Sequence, residues 1–298
     1  MKQKRVVTIQ DISCFGKCSL TVALPLLSAM GVECAVIPTA VLSTHTGGFT
    51  GWTFRDLSAD IAPISRHWQK EGLTFDGVYT GYLASPEQAA SIESFVDMFH
   101  PSMVFVDPAM ADNGKLYPGL PESLVPAMRH LVSVADIAVP NITEASLLTG
   151  IPYRAPLTYD RAYIEKQLHA LCGLGVKKAA ITGVRTEGSD REGICLLDSV
   201  TGKLVEYDTL HLPVSCHGTG DVYASVLFGC LTRGMSDYDS IRIAAETTVC
   251  AIRATIDDPD PAARDWTCVN QRNSPMERLE TGLFHGGICV MERSGETG

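Results

Sequence analysis

The sequence predicts an α/β fold: a three-layer αβα sandwich whose central sheet is mostly parallel and carries an antiparallel hairpin at its edge. Three observations point there. Short apolar runs alternate with stretches of helical periodicity. The runs are nearly continuous in apolar character, as expected of strands covered on both faces. One pair of runs is joined by a tight turn instead of a helix.

Taken in order, "RVVTIQ" reads as the first strand, and 21–30 as a helix stopped by Gly31. "ECAVIPTAVL" is the second strand, followed by a Gly/Thr-rich loop, "STHTGGFTG", and a helix from about Asp56 to Lys70. "FDGVYTGYL" is a strand, and "SPEQAASIESFVDMFH" a helix with Ser85 as cap and Pro86 in its first turn. "SMVFVDP", "DIAVPN" and "KKAAITG" are further strands separated by helical stretches, which completes a sheet between two helical layers. The exception is "EGICLLDSVTGKLVEYDTL", two apolar runs around a Thr-Gly turn, read as the edge hairpin. A helix opens near Asp221, because Val222, Val226, Leu227 and Leu231 form one apolar stripe. No internal repeat is found. The expected organisation is one domain over 1–270 and a loosely packed tail over 271–298, rich in Gly, Ser and charge.

Composition narrows the function. Of 298 residues, 45 % are hydrophobic and 19 % charged, ordinary for a soluble globular chain, and no apolar run approaches the length of a bilayer span. The basic start "MKQKRVVTIQD" meets an acid too soon to hold a signal-peptide core, so a cytoplasmic location is expected, with no membrane partner. The ten cysteines are scattered through apolar segments and read mostly as reduced core residues. A formal charge of -10, with no Lys/Arg cluster among aromatics, argues against nucleic acid as a partner. The ten cysteines and eight histidines show no close ligand-pair pattern, which disfavours zinc.

In open α/β sheets, ligands bind beyond the carboxyl ends of the strands. Asp11, His45 with Thr46, Tyr82, Asp107, Asn141 and Thr182 follow the first six strands in turn. Loops are polar anyway, but the same edge also receives "HGTGD". There the backbone N–H groups of Gly218, Thr219 and Gly220 would converge at a helix N-terminus, where unpaired donors and the macrodipole favour an anion. Phosphoryl transfer needs such a cradle and a group to position the attacking oxygen. If the acceptor is an alcohol, Asp221 takes its proton while the cradle stabilises the transferring phosphoryl group. The plain alternative is that Asp221 merely caps the helix.

The Gly218 to Asp221 turn resembles the hallmark of the ribokinase-like superfamily. Within it the chain is most similar to pyridoxal kinases up to about residue 255, through "STHTG", "TGYL", "DPAMADNGKLY", "PNITEASLLTG" and "HGTGD" in that order. The resemblance implies a ribokinase-like sandwich, with ATP as donor and the 5'-hydroxymethyl group of pyridoxal, pyridoxine or pyridoxamine as acceptor. It further implies magnesium, a monovalent cation such as potassium, and a homodimer. By the resemblance Asp221 is the general base, and Gly218, Thr219 and Gly220 are the anion hole. His45 and Thr46 belong to the substrate site, with Tyr82 stacked on the pyridine ring. Asp107 and Glu144 organise the metal directly or through water, and Asn141 and Thr182 contact the nucleotide. The segment 111–118 becomes a lid, with Asp112 and Tyr117 reaching the nucleotide and excluding water. Core packing for Tyr82, a turn role for Asp107 and a solvated position for Glu144 are the alternatives from the residues alone.

The chain also departs from that pattern. Where typical pyridoxal kinases carry a Ser-His pair and, farther on, a Gly-Asn, it has Asp11-Ile12 and Ser19-Leu20. Asp11 could accept a charged hydrogen bond from a pyridinium, a ring hydroxyl or an amine, or simply cap a turn. A preference for pyridoxamine follows from the first. Cys18 could trap an aldehyde or merely pack. Hydroxymethylpyrimidine kinase is the nearby alternative, although its Gly/Ser-rich segment after the first strand is absent from "QDISCFGKCSL". A nicotinamide-dependent oxidoreductase and a P-loop enzyme lack their glycine motifs here. A nucleotide-binding regulator without catalysis is the alternative of a different class, and the acid at 221 speaks against it.

Overall fold

The first strand, β1 (Arg5–Ser13), is buried along almost its whole length, and adjacent valines go to different sides of it. Val7 joins one apolar cluster and Val6 the other. That is why the strand reads as a continuous apolar run: alternate side chains serve two separate cores. The computed structural model describes residues 3–47, 49–214 and 216–257.

After β1 come α1 (Leu20–Ala29), β2 (Glu33–Leu42), β3 (Phe54–Asp56), α2 (Ser58–Lys70), β4 (Gly77–Thr80), α3 (Pro86–Phe99) and β5 (Met103–Val106). A small hairpin, β6 (Ala111–Asp112) with β7 (Lys115–Leu116), precedes α4 (Leu124–Ser133), β8 (Ile137–Ala138), α5 (Ile142–Thr149) and α6 (Arg161–Gly173). The chain continues through β9 (Lys178–Val184), β10 (Arg191–Asp198), β11 (Leu204–Leu210), α7 (Thr219–Thr232) and α8 (Asp237–Ile256). Among the described residues the main sheet has nine strands in the order β11-β10-β9-β8-β5-β4-β1-β2-β3. The pairs from β2 through β9 are parallel. The β9–β10–β11 end and the β2–β3 end are antiparallel. Helices α2 to α6 cover one face, with Ile61, Ile92, Leu131, Leu148 and Leu168 in the core, and α1, α7 and α8 cover the other through Leu27, Leu227 and Ala244.

The sandwich with its edge hairpin is as the sequence predicts. Several boundaries move for local reasons. β1 runs on to Ser13, so Asp11 lies inside the strand, where the register with β2 shifts between Gln10 and Ile12. β3 was not predicted: its three residues are all exposed, so no apolar alternation marks them. Asp56 ends that strand instead of opening a helix, and its carboxylate accepts the Ser58 N–H at 2.8 Å. The Ser85 cap of α3 is present, accepting the Gln88 N–H with Pro86 in the first turn. The tail expected over 271–298 lies outside the described residues.

β1 has β2 on one side and β4 on the other, so the chain leaves β1 in one direction and returns in the opposite one. Such a switch opens a crevice at the carboxyl ends of these strands.

Candidate active site

Helix α7 begins at Thr219, two residues before the position the apolar stripe suggests, and its N-cap is Gly218 with φ 80. A side chain there would be strained by the backbone conformation, and its Cβ would overlap the carbonyl oxygen of Lys17. Asp221 is therefore not the cap but the third helical residue. The first intrahelical bond in the turn runs from the Val222 N–H to the Gly218 carbonyl at 3.0 Å. The donors left open by the first turn are therefore the expected trio, Gly218, Thr219 and Gly220, together with Asp221. A glycine cap brings no side-chain acceptor, and none caps this helix.

This turn opens into a cavity of about 770 Å³ that gathers all the predicted site residues. At one end lie Asp11, His45, Thr46 and Tyr82. The Asp11 carboxylate is 4 % exposed and accepts the Ser13 hydroxyl at 3.1 Å. Burial raises its pKa, while hydrogen bonds from Ser19 and Ser13 and the His45 ring oppose the rise. Ser19 occupies φ 52, in the left-handed half of the map that favours glycine, so its bond to Asp11 is made from a strained backbone. His45 is buried, its ring 4.9 Å from that of Phe49 and 5.1 Å from that of His217, and among the described residues its Nε2 has no hydrogen-bond partner. The Tyr82 phenol is pushed up to about 12 by burial and then by Asp11, so it stays protonated.

At the other end the cavity is lined by Asp107, Asp112, Tyr117, Asn141, Glu144 and Thr182. The β6–β7 hairpin turns on Asn113 and Gly114, both with positive φ (51 and 77), the two-residue loop that Asn-Gly favours. It is tied down by the start of α5. Asn141 Nδ2 donates to the Ala111 carbonyl at 2.8 Å, and the Gly114 N–H donates to Thr143 Oγ1 at 3.0 Å. Glu144 accepts the Met110 N–H at 3.1 Å, the Ala111 N–H at 3.4 Å and the Asn141 N–H at 2.9 Å. The last of these closes a capping box with Asn141 Oδ1, which accepts from Thr143 and Glu144. Asn141 and Glu144 are therefore first of all the frame that holds the expected lid against the cavity. Thr182 is bridged to Asn141 across the strand ends. Asp112 is exposed at the hairpin and accepts from Asn113.

Electrostatically the cavity is one-sided. Asp11, Asp107, Asp112, Glu144, Glu192 and Asp221 line it, and no lysine or arginine does among the described residues. Burial raises the Asp107 carboxyl, and the charges of Glu144 and Asp221 raise it further. Glu144 is raised mainly by burial, against its three backbone hydrogen bonds. Burial and the same carboxylates keep the Tyr117 phenol protonated. An anion such as a triphosphate fits such walls only when cations come with it. Among the described residues no three His, Cys, Asp or Glu side chains form a metal cage. Asp107 and Glu144 are two buried carboxylates that could hold a cation at this wall.

Sequence reasoning missed most of one wall: Ile194, Leu212 and Val214, and on α8 the run Ala245, Thr248, Val249 and Ile252. The α8 residues do show helical spacing, but that pattern is read as core before it is read as a ligand wall.

A sequence model of phosphomethylpyrimidine kinases matches residues 24–260. A pyridoxal kinase of Arabidopsis thaliana is 29 % identical, with 88 % of this chain and 86 % of that protein covered. The crystal structure of a pyridoxal kinase from Lactobacillus plantarum superposes with a TM-score of 0.83 at 33 % identity, covering 93 % of this chain and 96 % of that one. A candidate phosphomethylpyrimidine kinase from Bacteroides thetaiotaomicron, crystallised with pyridoxal, gives 0.87 at 30 % identity over 95 % and 98 %.

Proposed function

The chain belongs to the phosphomethylpyrimidine kinase family and is a phosphotransferase with an alcohol acceptor, and we propose that it transfers the γ-phosphoryl group of ATP to the 5'-hydroxymethyl group of a B6 vitamer. One observation carries the reading. A glycine-capped helix presents its open first turn, with Asp221 at its third position, to a cavity rich in carboxylates. Gly218, Thr219 and Gly220, with the Asp221 backbone beside them, offer N–H groups to the migrating phosphoryl group, and the Asp221 carboxylate takes the proton of the attacking alcohol. The pyridoxal-bound relative supports a B6 acceptor.

Other residues follow from their positions. Tyr82 presents a protonated aromatic wall to the substrate ring, Thr46 stands beside it, and His45 directs Nε2 to a polar substituent. Asp11 takes the place of a neutral hydroxyl and favours a substrate with a cationic donor, which supports pyridoxamine over pyridoxal. Asp107 and Glu144 would hold magnesium, directly or through water, and the ion would supply charge neutralisation of the phosphates. Asn141 and Glu144 hold the hairpin that brings Asp112 and Tyr117 over the nucleotide and excludes water. The same reading includes a monovalent cation, a homodimer, a cytoplasmic location and one kinase domain over 1–270. Among the described residues no helix is long and apolar enough to cross a membrane.

The test is Asp221→Asn with ATP and the three vitamers. The expected loss of kcat is about two to four powers of ten with the KM for ATP nearly kept, the scale of general-base removal. An unchanged rate places the base elsewhere. Hydroxymethylpyrimidine kinase activity is the second reading, favoured by the family match itself. A screen of alcohol acceptors separates the two, and turnover of any acceptor removes the non-catalytic regulator.

A further inference from the structure

Below Asp221, helix and sheet enclose polar atoms that packing does not call for. Ser225 follows Asp221 by four residues, one turn down the same face of α7, and is fully buried. Facing it from β4 is Tyr79, also fully buried. Its ring lies 5.6 Å from that of Phe228 on α7 and 5.3 Å from that of Phe105 on β5. Tyr79 pairs with Thr8 of β1, and Gln10, two residues on, shares the face of Thr8. Tyr79 Oη is close enough to the Ser225 and Gln10 side chains for them to act on the phenol, yet among the described residues Tyr79 Oη, Ser225 Oγ and Gln10 Oε1, all shielded from solvent, make no hydrogen bond that meets both the distance and the angle of one. The Asp107 and Asp221 carboxylates are near enough to act on the phenol. Phenylalanine, alanine and an aliphatic chain would fill the same volume without buried oxygens that lack partners, which are a cost to stability. Sites that break a packing rule in this way are where function is expected.

We propose that Tyr79 is a positioning residue for the reaction: its hydroxyl, with Ser225 Oγ and Gln10 Oε1, binds one internal water that hydrogen-bonds the Asp221 carboxylate from below and aims it at the acceptor alcohol. A buried water needs two to four polar partners, and the three oxygens with the carboxylate supply them. The proposal rests on Asp221 being the base.

Tyr79→Phe removes one oxygen and keeps the ring, and Ser225→Ala does the same on the helix. Each is expected to lower kcat about tenfold, the scale of one hydrogen bond at the site, with the KM for ATP and acceptor unchanged and Tm unchanged or raised. The double variant is expected to be no worse than the singles by more than about twofold, because both act through one water. Wild-type kcat in Tyr79→Phe beside an inactive Asp221→Asn overturns the positioning role and leaves the base assignment standing. Full activity in Asp221→Asn overturns the assignment and the proposal with it. A fall in Tm together with raised KM values assigns the hydroxyls to packing and also overturns the proposal.

Discussion

Gly220→Ala separates a structural glycine from one required by the ligand. Gly220 is the second residue of α7, and a Cβ built on it meets no atom within 4 Å. The free protein should therefore accept the methyl. Alanine is favoured over glycine in a helix by about 0.8–1 kcal/mol, so stability should rise by up to that amount, or roughly 2 °C in Tm for a chain of this length. The working site should not accept it. Helical Cβ atoms tilt toward the N-terminus, which here is the mouth of the cradle, and a phosphoryl oxygen must approach the N–H groups to about 2.9 Å. A methyl in that approach is expected to cost about a hundredfold or more in kcat/KM, comparable to losing an oxyanion-hole donor. Thermal melting and steady-state kinetics on one preparation give both numbers. A raised Tm with wild-type kcat/KM would refute the cradle. Gly218→Ala is the control, because φ 80 and the Lys17 carbonyl make that methyl harmful without any ligand. It should lower stability by about 1–2 kcal/mol or more as well as activity.

Asp11→Ser should lower kcat/KM for pyridoxamine about tenfold relative to pyridoxal, since a charge-assisted hydrogen bond becomes a neutral one. An unchanged ratio between the vitamers in the two proteins would dispose of that role. The buried carboxyls also predict a pH dependence in the absence of ligands. Glu144 is raised from 4.5 to about 8 by burial, so the folded state binds more proton than the unfolded one between those values. Stability from this group is complete below pH 4.5 and is lost as pH rises toward 8. Melting of the ligand-free protein should move down over that interval, and magnesium with ATP should flatten the slope, because the cation takes over the proton's part. A Tm that climbs steadily across the interval would contradict the sign.

The layers, the edge hairpin and the glycine turn were legible in the sequence because each rests on a short-range rule. Continuous apolar strands need cover on both faces, a Thr-Gly turn joins adjacent strands, and a glycine cap leaves a helix start open. What was not legible depends on a residue having two partners at once. Glu144 reads as a solvated helix acid or a metal ligand. In the fold it is a capping-box acid whose second oxygen also holds Met110 and Ala111, and that link can be seen only once α5 and the hairpin are adjacent. Tyr79 reads as one more aromatic in an apolar strand, and nothing in "GVYT" separates its hydroxyl from the ring that carries it. Its chemistry depends on Ser225, far along the chain, facing it across the sheet–helix layer. Local pattern therefore locates the site, while the residues that orient its parts come from elements that meet only in the folded chain. Those residues are polar and buried, so a substitution that improves packing is expected to harm the rate.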